Sequence, residues 1–240
     1  MKKTTAILIS LIMIFSFTAC NSKKTPSQSN TQKSSSDSTP KSESSTESLG
    51  QSATKSSNIL IAYYTMPEDV NTASVDAIAS ASIVVKDGKV LGNTQYMAQV
   101  IQQTVGGNLF SIKSVQQYPL DHDPLIDQAA DEQKKNVRPK LSTHVENMKD
   151  YNVIFLGYPN WWGDLPMPLY TFLEEYDLSG KTIIPFCPHG GSGFSSTVST
   201  IAKMQPNATV SKEGFTISRN KVADSGSDVA AWVKKLDLGK

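Results

Sequence analysis

The chain has little cysteine, with only Cys20 and Cys187 among its 240 residues. It also lacks a membrane-spanning run, because the apolar stretch near its N-terminus is shorter than the roughly 20 residues that a transmembrane helix needs. If Cys20 is modified, no intrachain disulfide can form, so the folded part must be stabilised by its core alone.

A strong charge of one sign is absent as well. The formal net charge is +1, and the positive excess belongs to the N-terminal quarter of the chain. After residue 57 there are 16 Lys and Arg residues and 19 Asp and Glu residues, a net charge of −3. A mildly acidic domain argues against a nucleic acid as the partner.

Residues 21–57 contain almost nothing apolar, and about half of them are Ser or Thr. Such a segment cannot bury enough surface to offset its conformational entropy. We therefore expect a disordered tether here, followed by one folded domain over residues 58–240.

The N-terminus has the pattern of a secretory signal: Lys2 and Lys3, then an apolar run that ends at Ala19 and Cys20. The Ala-Cys pair is similar to the bacterial lipobox, with Phe17 in place of the usual Leu. That similarity implies removal of residues 1–19, lipidation of Cys20 and a location on the extracytoplasmic face of the cell membrane. The alternative is an ordinary signal peptide with an incidental cysteine.

Apolar runs at 59–64, 153–156 and 182–187 are typical of strands that are buried on both faces. Between and after them, we predict helices at 93–105, 168–176, 195–204 and 225–236, a polar helix that contains or ends at Arg138-Pro139, and strands at 108–115 and 209–217. This alternation predicts a three-layer α/β domain with an open, parallel, five-stranded sheet in the order 2-1-3-4-5. In such sheets a ligand lies beyond the carboxyl ends of the strands.

The first loop at that edge is split. Residues 64–67 follow strand one, but the helix that they should enter begins only at Asn93 and Thr94. The insertion ends in a predicted hairpin at 82–91, with Asp87-Gly88 at its turn. Without the insertion, a hydroxyl-bearing turn would meet a helix N-terminus, which favours an anion such as phosphate. The alternative is that Asn93 is only a helix cap.

The second loop, residues 157–166, carries adjacent tryptophans, Trp161 and Trp162. A tryptophan in a loop offers a flat π surface, and a planar heterocycle is the natural ligand for it. The alternative is that both indoles cover the core.

The third loop, residues 187–194, has three glycines in four positions, which lets backbone N–H groups approach a ligand closely. The alternative is a plain turn before a helix.

With these motifs, residues 58–240 resemble the flavodoxin-like FMN-binding proteins, and in particular the bacterial flavodoxin-like lipoproteins with an inserted hairpin. The resemblance implies FMN as the cofactor, held at its phosphate by the split loop, stacked on Trp161 or Trp162 and lined by the third loop. The cofactor-binding residues that it implies are Thr65, Met66, Asn93, Thr94, Pro159, Asn160, Trp161, Trp162, Gly163, His189, Gly190, Gly191, Ser192, Gly193 and Phe194.

We therefore expect a membrane-anchored flavoprotein in electron transfer, with a redox partner protein or a membrane quinone as its partner. One alternative is an NAD(P)H- or quinone-linked flavin reductase. Another, favoured by the interrupted phosphate loop, is a non-enzymatic lipoprotein that binds a different ligand or a surface partner. Three roles stay open: Asp164 tunes the flavin or is a solvated acid, His189 contacts the ligand or packs its loop, and Cys187 is reactive or simply buried.

Overall fold

The computed structural model describes residues 58–65, 83–86 and 89–238. The predicted signal peptide, Cys20, the tether and Met66 lie outside the described residues. Within the described ranges, strands alternate with helices, and no helix is long and apolar enough to cross a membrane.

The central sheet is parallel and has five positions. Its strands are β4 (Asn108–Ile112), β1 (Ile59–Tyr64), β5 (Val153–Gly157) and β6 (Thr182–His189), and β7 (Thr209–Val210) and β8 (Phe215–Ser218) share the fifth position beside β6. Numbered without the hairpin, this is the predicted order 2-1-3-4-5. All six residues of β1 are buried, because the strand has a neighbour on each side and helices cover both faces of the sheet.

The prediction of one continuous strand over residues 209–217 was wrong. β7 pairs with the beginning of β6 and β8 with its end, and the chain leaves the sheet between them. The break lies opposite Pro185 of β6, at a position where the backbone would pair with the fifth strand. Proline has no N–H group to donate there. Gly214 passes so close to Pro185 that a Cβ there would lie 2.7 Å from the Pro185 carbonyl oxygen.

The three predicted layers are present. Helices α1 (Asn93–Val105) and α5 (Gly226–Lys235) pack on one face of the sheet, and α2 (His122–Lys135), α3 (Met167–Glu175) and α4 (Thr197–Met204) pack on the other. Two hydrophobic clusters result, because alternate residues of each strand point to opposite faces. Helix α2 ends at Lys135 with Asn136 in a left-handed conformation, so Arg138 and Pro139 lie beyond it.

The predicted hairpin insertion is also present. Strand β2 (Ile83–Lys86) pairs in antiparallel fashion with β3 (Lys89–Gly92) as a separate two-stranded sheet. Strand β3 leads directly into α1, so the insertion returns the chain to the end of β1.

Candidate functional site

The two halves of the split loop meet in space. Gly92, the last residue of the hairpin, lies so close to Thr65 that a Cβ on Gly92 would be 1.9 Å from Thr65 Oγ1. Only glycine allows this approach. The interruption in the sequence is therefore not an interruption of the site, and Thr65 lies against the N-terminus of α1.

Three polar atoms at this junction are buried and have no hydrogen-bond partner among the described residues. They are Thr65 Oγ1, Asn93 Oδ1 and Thr94 Oγ1. Thr94 is fully buried and Asn93 is 1% exposed. A buried polar group without a partner costs about 1–3 kcal/mol, so three together indicate a ligand that supplies the missing partners.

Asn93 is not the cap of α1. Gly92 occupies the N-cap position, and its backbone N–H donates to Gln95 Oε1 at 3.0 Å. Asn93 and Thr94 lie in the first turn, where backbone N–H groups have no partner within the helix. Two hydroxyls, one amide and these N–H groups form a neutral donor set of the kind that binds phosphate at helix N-termini. We call Thr65, Gly92, Asn93 and Thr94 the cradle.

The two tryptophans have different environments. Trp161 is half-buried and makes edge contacts with Tyr64 and Tyr118, with ring centroids 5.7 and 5.5 Å away. Trp162 is 58% exposed, and its indole Nε1 donates to the Ile126 carbonyl at 2.9 Å. Trp161 thus packs into an aromatic cluster, whereas Trp162 is fixed by one hydrogen bond and keeps a ring face open to solvent.

Both tryptophans line a cleft of about 240 Å³ at the carboxyl edge of the sheet. The second and third loops supply most of the lining, and α2 closes one side. The lining residues are Leu125, Ile126, Ala129, Pro159, Asn160, Trp161, Trp162, Gly163, Pro188, His189, Gly190, Ser192 and Arg219.

Asn160 holds the second and third loops together. Its Nδ2 donates to the Gly193 carbonyl at 2.8 Å and to Ser195 Oγ at 3.3 Å, while its Oδ1 accepts from the Gly163 N–H at 3.0 Å. The Asn160 amide is therefore engaged in fixing the width of the cleft.

The third loop presents His189, Gly190 and Ser192 to the cleft. The Gly191 N–H donates to His189 Nδ1 at 2.9 Å, so the proton of the neutral ring is on Nε2. Burial lowers the pKa of His189, which favours that neutral form. Gly191 and Gly193 supply positive φ angles of 140° and 59°. Phe194 packs against the hydrophobic cluster under α2, α3 and α4.

Asp164 and Cys187, whose roles the sequence left undecided, both belong to the structural framework around the site. Asp164 accepts from the Tyr170 hydroxyl at 2.7 Å and from the Leu165 N–H at 2.8 Å. Burial and this acidic partner raise the pKa of Tyr170 to about 12. Cys187 is fully buried, and burial raises the pKa of its thiol, so it lacks the accessible thiolate that a reactive cysteine needs.

Sequence reasoning missed five lining residues: Leu125, Ile126 and Ala129 of α2, Pro188 and Arg219. Arg219 follows the last sheet strand, so the rule that ligands lie beyond the carboxyl ends of strands could have identified it. In the part of the chain that the structure describes, no group of three His, Cys, Asp or Glu side chains could hold a metal ion.

Comparison with known proteins gives one matching family and several similar solved structures. The profile of a family described as flavodoxin matches residues 82–236. A candidate flavoprotein from Bacteroides eggerthii is 25% identical, with a TM-score of 0.51, and the match covers 72% of this chain and 97% of that one. A candidate flavoprotein from Bacteroides uniformis is 23% identical, with a TM-score of 0.53, and the match covers 75% of this chain and 100% of that one.

A flavoprotein from Lactobacillus acidophilus, solved in complex with FMN, is 20% identical, with a TM-score of 0.49. The match covers 70% of this chain and 97% of that one. No curated protein sequence matches the chain significantly.

Proposed function

The chain belongs to the flavodoxin family, and from this premise we propose that it binds FMN at the carboxyl edge of its sheet and transfers electrons through it. The observation that carries the proposal is the cradle: three buried polar atoms without described partners at the N-terminus of α1. FMN has one phosphate and one planar heterocycle, and the cradle and the cleft suit these two parts respectively.

The cradle supports phosphate recognition without a basic side chain. The Thr65 and Thr94 hydroxyls can each donate to a phosphate oxygen, and the Asn93 amide can turn its Nδ2 toward one. The first-turn N–H groups and the helix dipole add further attraction. Hydrogen bonds to a charged group contribute about 1.5–3 kcal/mol each, so this set could hold a phosphate firmly.

The cleft supports binding of the isoalloxazine. Trp162 offers an open ring face, and the third loop adds Ser192 and His189, whose neutral ring carries its proton on Nε2, to the same lining. The flavin would supply the redox chemistry when bound, while these side chains orient it and limit its access to water.

The proposed setting is the outer face of the cell membrane, with lipid on Cys20 as the anchor. Its support is the sequence of residues 1–20. A flavoprotein there would receive electrons from a partner protein or a membrane quinol, as a carrier or as a quinone-linked reductase. The alternative of a non-enzymatic lipoprotein was favoured by the interruption of the phosphate loop. Because Gly92 contacts Thr65, the two halves of that loop meet, and this support for the alternative is lost.

The test compares FMN with riboflavin, which lacks the phosphate. The chain from Asn21 onward should take up FMN, turn yellow and bind FMN at least about 100-fold more tightly than riboflavin. Thr65→Ala should erase most of that ratio, whereas Thr104→Ala, at the far end of α1, should keep it. A protein that takes up neither flavin, or binds both equally, would contradict the proposal.

A further inference from the structure

The cleft contains one formal charge among its described lining residues, that of Arg219. Its other lining side chains are apolar or neutral, so no carboxylate of the described lining offsets this charge. Arg219 is half-buried, and it has no ionic or hydrogen-bonded partner among the described residues. An unpaired guanidinium at a ligand cleft is unusual, because buried charges are normally paired.

The only other arginine in the chain shows the ordinary arrangement. Arg138 Nε lies 2.8 Å from Glu174 Oε1, and its guanidinium lies over the Tyr170 ring at 4.8 Å. Arg138 is thus fully occupied on the surface. Arg219 has no such partner in the part of the chain that the structure describes, and its place in the lining points to an anion in the cleft.

The backbone at Arg219 is held by the sheet. Strand β8 pairs with β6 over its whole length, and its last residue, Ser218, lies opposite His189. Arg219 follows immediately and begins a 3-10 helix over Arg219–Asp224. The cation therefore follows directly on a paired strand end, and it lines the cleft together with His189 of the third loop.

The charge of a flavin ring changes on reduction. The oxidised ring is neutral, and addition of two electrons and one proton leaves a ring with one negative charge. A fixed cation in a partly desolvated cleft favours the anionic form over the neutral one. It therefore raises the two-electron reduction potential of the bound flavin and lowers the pKa of the reduced ring.

We propose that Arg219 is the residue that stabilises the anionic, two-electron-reduced flavin and makes this site suited to accepting a hydride equivalent. The proposal rests on the proposed function, FMN binding in the cleft. The donor is a quinol or a reduced nicotinamide, which loses two electrons. One proton enters the flavin with the electrons, and the second proton of a quinol goes to solvent.

The experiment measures the midpoint potential of the FMN-loaded protein against a reference dye during reductive titration. Arg219→Gln should weaken binding of reduced FMN about tenfold relative to oxidised FMN, a fall of about 30 mV for a two-electron couple. Arg219→Lys should keep more than half of the effect. Lys149→Gln, which removes one exposed charge at the amino edge of the sheet before β5, should leave the potential unchanged.

A second readout is the pH dependence of the potential. The wild-type flavin should take up one proton per two electrons at neutral pH. In Arg219→Gln the change to two protons per two electrons should move to a pH about one unit higher, since a tenfold change in affinity is one pKa unit. This shift requires a charge effect, and loss of packing alone would not produce it.

The outcomes separate the two proposals. An Arg219→Gln protein that binds oxidised FMN normally and keeps the wild-type potential and pH profile overturns the role of Arg219 and leaves FMN binding intact. A wild-type protein that does not bind FMN overturns the proposed function instead. If the glutamine variant melts early, Arg219→Met, which keeps most of the aliphatic stem, gives the same comparison.

Discussion

Replacement of Thr94 by Val should change two properties in opposite directions. The side chain is fully buried, and its hydroxyl has no partner among the described residues. Valine has nearly the same shape and a similar helix propensity, so the substitution removes the hydroxyl with little other change. The flavin-free protein should therefore become more stable, by about 1 kcal/mol and at most about 3 kcal/mol.

The same substitution should weaken FMN binding. If the Thr94 hydroxyl donates to the phosphate, its loss removes one hydrogen bond to a charged group, about 1.5–3 kcal/mol. The dissociation constant for FMN should rise about 10-fold to 150-fold, whereas that for riboflavin should change little. The stabilisation that saturating FMN confers should shrink by the same free energy.

The assay is urea unfolding of the apoprotein and of the FMN-loaded protein, together with fluorescence titration of FMN. Thr104→Val is the matched control: it lies on the same helix, and its hydroxyl already donates to the Val100 carbonyl at 2.7 Å. It should not stabilise the apoprotein or change FMN affinity. A Thr94→Val apoprotein that is less stable than wild type would refute the reasoning, because the hydroxyl would then have a partner.

Three further substitutions test other parts of the site. Gly92→Ala should displace Thr65, cost about 1–3 kcal/mol of stability and weaken FMN binding, as unfolding and FMN titration would show; wild-type values for both would contradict the close contact. Trp162→Ala should weaken flavin binding but keep the free energy of unfolding within about 0.5 kcal/mol of wild type. Trp161→Ala should lower the free energy of unfolding by about 2–4 kcal/mol. Equal melting temperatures of the two variants would argue against their different roles. Burial lowers the pKa of His189, so its neutral form contributes stability to the folded state. This contribution is complete above the usual histidine pKa of about 6.5 and is lost as the pH falls. His189→Gln should flatten that part of the curve of unfolding free energy against pH.

The sheet was predictable from sequence because burial on both faces leaves a strong signal. Ile59–Tyr64 is continuously apolar and continuously buried, and its neighbours follow the same rule. The fifth strand was not predictable by that rule, because its residues are half-buried or exposed and its continuity depends on Pro185 of the adjacent strand. A hydrogen-bond donor missing from a neighbour leaves no trace in the strand's own pattern.

The site was predictable to the level of its loops. The rule that ligands lie at the carboxyl edge selected the three loops that supply the cradle and most of the cleft lining, but it did not lead to the α2 residues that close the cleft. It could not tell Trp161 from Trp162, because adjacent residues with the same side chain differ only in the contacts that the fold gives them. It also could not show that the cradle closes, since the approach of Gly92 to Thr65 depends on how the hairpin returns the chain.

The proposed role of Arg219 and the proposed anchor at Cys20 together narrow the choice of electron donor. A cation that favours the two-electron-reduced flavin suits a donor that delivers both electrons, such as a quinol or a reduced nicotinamide. A flavin outside the cytoplasmic membrane has no direct access to cytoplasmic nicotinamides, whereas a quinol is dissolved in the membrane to which the lipid would hold the protein. Trp162 and the half-buried Arg219 line the same cleft, so a flavin held there would have the cation beside it when a quinol delivers both electrons. The two proposals are therefore jointly most consistent with a quinol-linked flavoprotein, and they weaken the case for a carrier that exchanges single electrons.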